Sequence, residues 1–197
     1  EKIFCERVYA PAVDMENMMR EKNIPLFALE SREPITNFDV IAFTLQYELS
    51  YTNILNMLDL ANVPILRTER KLDDPFILVG GPCAYNVEPM ADFVDIVVLG
   101  EGEEVNLEIL NAYKEWKKNK TTREDFLYQI SSIEGVYIPS FYDVTYNEDN
   151  TVKEVVPNRE NIPSKPHKRI IKDVENVPYP EKLIVPFIDT VHNRVVL

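Results

Sequence analysis

Asp39-Val-Ile-Ala-Phe-Thr-Leu45 decides the fold of this chain. Behind its opening aspartate the apolar run is unbroken, with no alternation. Such a run suits a strand buried on both faces, as parallel sheets require. The next residues change period. Tyr51, Ile54, Leu55, Leu58 and Ala61 recur at helical spacing, one continuous stripe, with Ser50 as the expected cap. Asn62 and Pro64 close that helix.

The strand–helix unit repeats downstream. Phe76 to Val79 reads as a second buried strand, broken by Gly80-Gly81-Pro82. A short helix is expected around Pro89 to Phe93, then a third buried strand, Asp95-Ile-Val-Val-Leu99. Gly100-Glu-Gly-Glu103 opens a helix in which Val105, Ile109, Tyr113 and Trp116 recur at helical spacing. Upstream, residues 3–9 read as a strand stopped by Pro11. Asp14 is the expected cap of a short helix with Met15, Met18 and Met19 on one face, ended by Asn23 and Pro25. Strands alternating with helices predict an α/β fold. Its parallel sheet is flavodoxin-like or Rossmann-like and covered by helices.

After Lys120 the pattern changes. Thr122 and Asp125 form a capping-box signature over a short helix with Phe126, Leu127 and Ile130. Residues 135–146 and 151–156 are β-type stretches around Asn147-Glu-Asp-Asn150, a hairpin signal. Prolines recur from Pro157 to Pro186, which predicts an extended connector. The expected organisation is an α/β body over residues 1–120, a small β-containing appendage over 121–160, and a Pro-rich linker over 161–197.

A net charge of −12 argues against a general nucleic-acid surface, which needs a basic face. The one basic stretch, Lys165 to Lys172, reads as a solvated linker, as a partner for the acidic body, or as a contact for a polyanion. No apolar run approaches the ~20 residues of a membrane helix. Two distant cysteines, Cys5 and Cys83, make neither a disulfide framework nor a four-thiolate metal site. They fit a reduced, cytoplasmic protein. His167 and His192 lack metal-ligand spacing.

In an open parallel sheet, ligands bind at the carboxyl ends of the strands. Three loops qualify: Thr44 to Glu48, Gly80 to Asn86, and Gly100 to Glu104. Candidate ligand-facing residues are Thr44, Leu45, Gln46, Tyr47, Gly80, Gly81 and Cys83. Adjacent glycines admit a ligand or simply make a tight turn. Gly100 and Gly102 are no dinucleotide fingerprint, because the third glycine is absent and glutamates stand where pyrophosphate would lie. Cys83 reads as a reactive thiol or as a packed one. Glu48 and Glu101 read as acid–base groups or as solvated carboxylates.

Taken together, three stretches resemble a known family: residues 38–53 with Thr-Leu-Gln-Tyr-Glu-Leu-Ser-Tyr, Gly80-Gly-Pro-Cys-Ala-Tyr-Asn86, and Asp95-Ile-Val-Val-Leu-Gly-Glu-Gly-Glu-Glu104. They resemble the N-terminal, cobalamin-binding-like domain of bacterial radical S-adenosylmethionine (SAM) proteins described as iron–sulfur oxidoreductases. Residues 185–197 look like the stretch just before that family's Cys-x-x-x-Cys-x-x-Cys motif. The resemblance implies a parent with a four-iron–four-sulfur cluster and SAM, held in a C-terminal radical SAM domain that is this chain's partner. The three-cysteine motif is not in this chain, so no cluster is expected here. Cobalamin domains with an axial histidine carry Asp-x-His-x-x-Gly after the first strand. That motif is also absent, and the first strand of the fold is expected to be missing. Carried over, the cofactor face keeps only Thr44, Leu45, Gly80 and Gly81, and weak or no cobalamin binding is expected. The implied role is an accessory domain facing substrate or cobalamin. The alternatives are a structural interaction domain without ligand, and a self-contained enzyme on a flavodoxin-like fold, for which no nucleophile–base pair is visible.

Overall fold

The computed structural model describes residues 3–119 and 121–173, together with 175 and 177. The run at 39–45 becomes β1 (Val40–Thr44), preceded by α1 (Val13–Lys22) and followed by α2 (Tyr51–Leu60). Then come β2 (Phe76–Gly80), β3 (Ile96–Val98), α3 (Gly102–Asn119), α4 (Arg123–Ile130) and β4 (Val136–Tyr137). A separate hairpin, β5 (Tyr142–Tyr146) and β6 (Val152–Pro157), follows. The main sheet has the order β1-β2-β3-β4. β1, β2 and β3 run parallel, and β4 runs antiparallel to β3.

Helices cover both faces. Ile41, Ile77, Val79 and Val97 pack with α1 and α2 through Met19, Ile54 and Leu58. On the opposite face Phe76, Leu78, Ile96 and Val98 pack with α3 and α4. The second layer centres on an aromatic cluster. The Phe76 ring meets Phe126 at 4.8 Å, Trp116 at 5.7 Å and Tyr113 at 6.0 Å between centroids. Such edge-on and tilted pairs add about 0.5–1.5 kcal/mol each beyond the area buried. The expected boundary at residue 120 falls between α3 and α4, and these two helices share that core.

Local signals work as chemistry dictates. Thr122 accepts from the Asp125 N–H while the Asp125 carboxylate accepts from the Thr122 N–H, a complete capping box. Asn23 closes α1 with φ 53°, and Asn62 ends the α2 region with φ 58°. The hairpin turns at Asn147–Asn150, where Asn150 has φ 63° and donates to the Asn147 carbonyl.

Several expectations need correction. Residues 3–9 form no strand. Their polar groups are drawn to the loop at 28–31 instead. The Leu29 N–H donates to the Arg7 carbonyl, Arg7 donates to Glu30, and the Ser31 N–H donates to the Glu6 carboxylate. Asp14 does not cap α1. Ala12 holds that position without a side-chain bond, and Asp14 sits in the first turn, where its charge suits the helix dipole. Of the three methionines only Met19 is buried, and Met15 and Met18 are exposed. Ser50 donates to the Tyr47 carbonyl rather than capping α2, because a single 3-10 turn (Glu48–Ser50) runs straight into the helix. The helix expected at 89–93 is replaced by two short 3-10 turns, Pro82–Asn86 and Glu88–Met90. Prolines at 82 and 89 supply no N–H to a longer ladder. The expected parallel sheet carries one antiparallel strand, because the stretch 135–146 splits. Val136–Tyr137 joins the main sheet, a 3-10 turn at Pro139–Phe141 intervenes, and only then does the hairpin begin.

β1 is an edge strand. The Leu45 N–H donates to the Gly80 carbonyl at 2.7 Å and the Phe76 N–H to the Asp39 carbonyl at 3.1 Å. These bonds set the alternation: Ile41 and Phe43 turn their backbone groups to β2, and Val40 and Ala42 turn theirs outward. Among the described residues no strand lies beyond that edge. The Ala42 and Thr44 side chains, on the α3 side, are exposed. Residues 178–197, half of the expected linker, lie outside the described residues. Among the described residues no helix is long and apolar enough to cross a membrane.

Candidate functional site

The register Thr44↔Gly80 brings the ends of β1 and β2 to one rim. Thr44, Leu45, Gln46, Tyr47, Gly80, Gly81 and Cys83 therefore share the carboxyl edge of the sheet. Within that rim the loops bind each other. The Leu45 N–H donates to the Gly80 carbonyl, and the Leu45 carbonyl accepts from the Cys83 N–H at 2.9 Å. Leu45 is wholly buried, whereas Gln46 and Tyr47 point to solvent. Gly81 has φ 98°, and a Cβ there would lie 3.0 Å from Thr44 Cγ2 and 3.1 Å from the Leu45 carbonyl oxygen. Glycine is needed here because the chain's own backbone passes too close for a side chain. The Tyr51 hydroxyl ties the loop from below, donating to the carbonyls of Cys83 and Asn86 at 3.2 and 3.1 Å. Burial, then the nearby Glu48 carboxylate, pushes the Cys83 thiol above its ordinary pKa. A thiol held protonated is a poor nucleophile.

The Gly100–Glu104 loop is occupied in the same manner. Residues 168–171 run beside it. The Arg169 N–H donates to the Leu99 carbonyl at 2.8 Å, and the Glu101 N–H donates to the Arg169 carbonyl at 3.2 Å. Gly100 has φ 94°, and a Cβ there would sit 2.2 Å from the Arg169 carbonyl oxygen. The Arg169 guanidinium pairs with Glu104 at 2.7 Å and Glu108 at 2.6 Å, and Glu101 accepts from the Ile171 N–H. The acidic loop thus grips the basic linker. Sequence reading allowed that pairing but could not select Arg169 among five neighbouring basic groups.

Gly100→Ala is expected to release this grip. It forces the methyl into the Arg169 backbone and forfeits two backbone hydrogen bonds of about 1 kcal/mol each. Limited trypsinolysis after Lys168 and Arg169 should accelerate by about tenfold or more while the body stays folded. Unchanged cleavage would show that the glycine is dispensable.

Between the 82–90 turns and the hairpin the same rim holds a cavity of about 270 Å³, lined by Tyr85, Glu88, Leu99, Tyr137, Tyr142 and Lys165 among others. The Tyr137 hydroxyl donates to Glu88 at 2.5 Å, and burial, followed by that carboxylate, pushes its pKa far up. The Tyr142 hydroxyl donates to the Pro163 carbonyl, fixing the linker's first turn over the hairpin. Tyr85 belongs to the Gly80–Asn86 loop already marked in the sequence, but Tyr137 and Tyr142 were not singled out there. Each lies in a segment whose neighbours are set by tertiary contacts, and no local spacing marks them. Among the described residues no group of three or more His, Cys, Asp or Glu side chains is placed to hold a metal ion.

Residues 1–139 match a family model described as "Radical SAM proteins, N-terminal". An uncharacterized protein of Methanocaldococcus jannaschii is 35% identical over 143 residues, which is 62% of this chain and 30% of that protein. The chain therefore spans less than a third of that relative's length. No solved structure matches. With the family match covering well over half of its residues, the chain belongs to the N-terminal region family of radical SAM proteins.

Proposed function

We propose that this chain is the accessory N-terminal domain of a radical SAM iron–sulfur protein. It has a flavodoxin-like sheet of the cobalamin-domain type, and its carboxyl rim faces the substrate side of a C-terminal radical SAM domain. In that reading the radical domain holds the cluster and SAM, and this domain shapes the space opposite them.

One observation carries the reading. Both glycine-bearing rim loops that could cradle a cofactor are filled by the chain's own backbone, Gly81 against Leu45 and Gly100 against Arg169. These residues do not fit a cobalamin tail, which needs an open slot between strand ends. The carboxylates at 101 and 104 already hold the linker. Residues 168–171 are clamped at the rim, which in this reading is the side turned toward the radical domain. A second reading, a structural interaction domain without ligand, is supported by the outward-facing backbone of β1.

Hydroxocobalamin titration, followed by visible spectrum and heat, is expected to show no micromolar binding to residues 1–197. Anaerobic reconstitution is expected to leave no brown chromophore through gel filtration, because Cys5 and Cys83 cannot replace three clustered thiolates. Micromolar cobalamin binding, or a retained stoichiometric cluster, would overturn the proposal.

A further inference from the structure

The amino ends of β2 and β3 lie at the opposite end of the sheet from the rim, and a cavity of about 340 Å³ opens there. Four arginines line it, Arg67, Arg70, Arg123 and Arg159, against two carboxylates, Asp95 and Glu124. Asp92, 3.9 Å from Arg67, adds a third carboxylate at the edge, so the arginines still outnumber the carboxylates by one in a chain whose net charge is −12. An unbalanced basic pocket on an acidic protein is the electrostatic pattern of an anion site.

The wall and the open positions can be told apart. Asp95 is engaged through one oxygen, its Oδ2 accepting from Arg70 at 2.9 Å, Arg123 at 3.2 Å and the Ile77 N–H at 2.7 Å. Arg70 is likewise spent on Asp95 and the carbonyls of Pro64, Ile65 and Phe93. Arg123 donates to the Asp74 and Pro75 carbonyls, and its guanidinium lies 3.8 Å over the Phe76 ring. These two arginines build the floor. Arg67 is less engaged. It donates through Nε to the Ala91 carbonyl, and its terminal nitrogen stands 3.9 Å from Asp92, a carboxylate that is itself mostly exposed. Among the described residues Arg159 pairs with Glu124 alone, also well exposed, and stands 4.8 Å from the Phe141 ring. Arg67 and Arg159 therefore keep donors for a guest at the mouth. Ser140 also lines the cavity, and Leu127 and Phe141 give it an apolar side.

We infer that this cavity binds the phosphate group of a small phosphomonoester, held between the Arg67 and Arg159 guanidinium groups with its organic body against Leu127 and Phe141. A phosphate presents at least three acceptor oxygens to the two guanidinium groups at the mouth, where a carboxylate presents two. Planar guanidinium forks suit phosphate oxygens two at a time. The site is independent of the rim, so it stands or falls apart from the accessory-domain reading.

Residues 1–197 would be titrated calorimetrically with inorganic phosphate and, separately, phenyl phosphate, each at constant ionic strength set with sodium chloride. Both are expected to bind, phenyl phosphate at least several-fold more tightly because its ring adds the apolar contact. The R67Q/R159Q variant should weaken both by about a hundredfold, roughly tenfold for each guanidinium removed. Arg67→Lys, which keeps the charge and loses the fork, should fall between. Arg20→Gln, on α1 away from the cavity, should leave binding unchanged. Circular dichroism melting of every variant checks folding, and these exposed or half-exposed arginines are expected to leave it intact. Equal binding by R67Q/R159Q and the parent, or no heat with either phosphate beyond the sodium chloride blank, would overturn the inference. So would equal weakening by Arg20→Gln, which would mark a diffuse charge effect.

Discussion

Asp95→Ala is expected to lower unfolding stability by about 3–5 kcal/mol, the range for removing one partner of a buried ion pair. Asp95 and the Arg70 side chain are 4% and 0% exposed. The aspartate stands just before β3, at its amino end, where it accepts from Arg70, Arg123 and the Ile77 N–H at once. Alanine leaves the Arg70 guanidinium in the interior facing only carbonyl oxygens, with its charge uncompensated. Burial already lowers the Arg70 pKa, and the Asp95 carboxylate is the main influence opposing that shift. The same substitution strips an acceptor from the Ile77 N–H, adding the cost of an orphaned buried donor. Urea denaturation at neutral pH measures the loss. In the D95A/R70M variant no buried arginine remains at position 70, so it should cost clearly less than the sum of the two single changes. A stability change under about 1 kcal/mol for Asp95→Ala would show that water enters and screens the site.

Phe43→Pro is expected to cost more than about 3 kcal/mol, whereas Ala42→Pro, one residue away, is expected to cost roughly 1 kcal/mol. The difference follows from the register of β1. Phe43 aims its N–H at β2, and its ring packs, half-buried, against the α1–α2 layer. Proline there deletes a ladder bond and a packed ring together. Ala42 turns its N–H outward from an edge strand, and its side chain is exposed, so proline removes little. Thermal melts of the two variants, side by side, decide the matter. Equal losses would mean that the outward edge of β1 is paired in solution. The same edge has no lysine or proline to blunt it, and apolar edges of this kind favour association. Ala42→Lys should therefore lower any concentration-dependent association seen by ultracentrifugation.

How much of the fold is legible in the sequence depends on the range of the forces involved. The runs at 40–45, 76–79 and 96–99 are apolar without alternation, and all three became strands. β2 and β3 are covered on both faces, whereas β1 leaves Ala42 and Thr44 exposed. Of the helices expected between the strands, α2 formed while the second became 3-10 turns. The capping box at Thr122 and Asp125 and the Asn-rich hairpin turn are equally readable, because their partners lie within four residues. That Thr44 and Gly80 would meet followed from strand direction alone. That the glycines would be filled by Leu45 and Arg169 did not follow. A glycine beside a ligand and a glycine beside another backbone have the same sequence, and only three-dimensional proximity separates them.

Length and distance account for the rest. β4 has two residues, too few to show any period, and it became a strand because β3 offered it an edge. Residues 3–9 carry a strand's composition yet form none, because their polar groups found the 28–31 loop across more than twenty residues of chain. The Arg70–Asp95 pair bridges 25 residues, and nothing local distinguishes that arginine from an exposed one. By itself the sequence determined the alternating α/β body, the carboxyl ends of α1 and α2 at Asn23 and Asn62 and the capping box of α4, though not the caps expected at Asp14 and Ser50, since periodicity and capping act within a turn or a strand. Tertiary structure decided which polar groups are buried together, where the linker docks and which edge stays open, since those depend on distances that the chain acquires only when it folds.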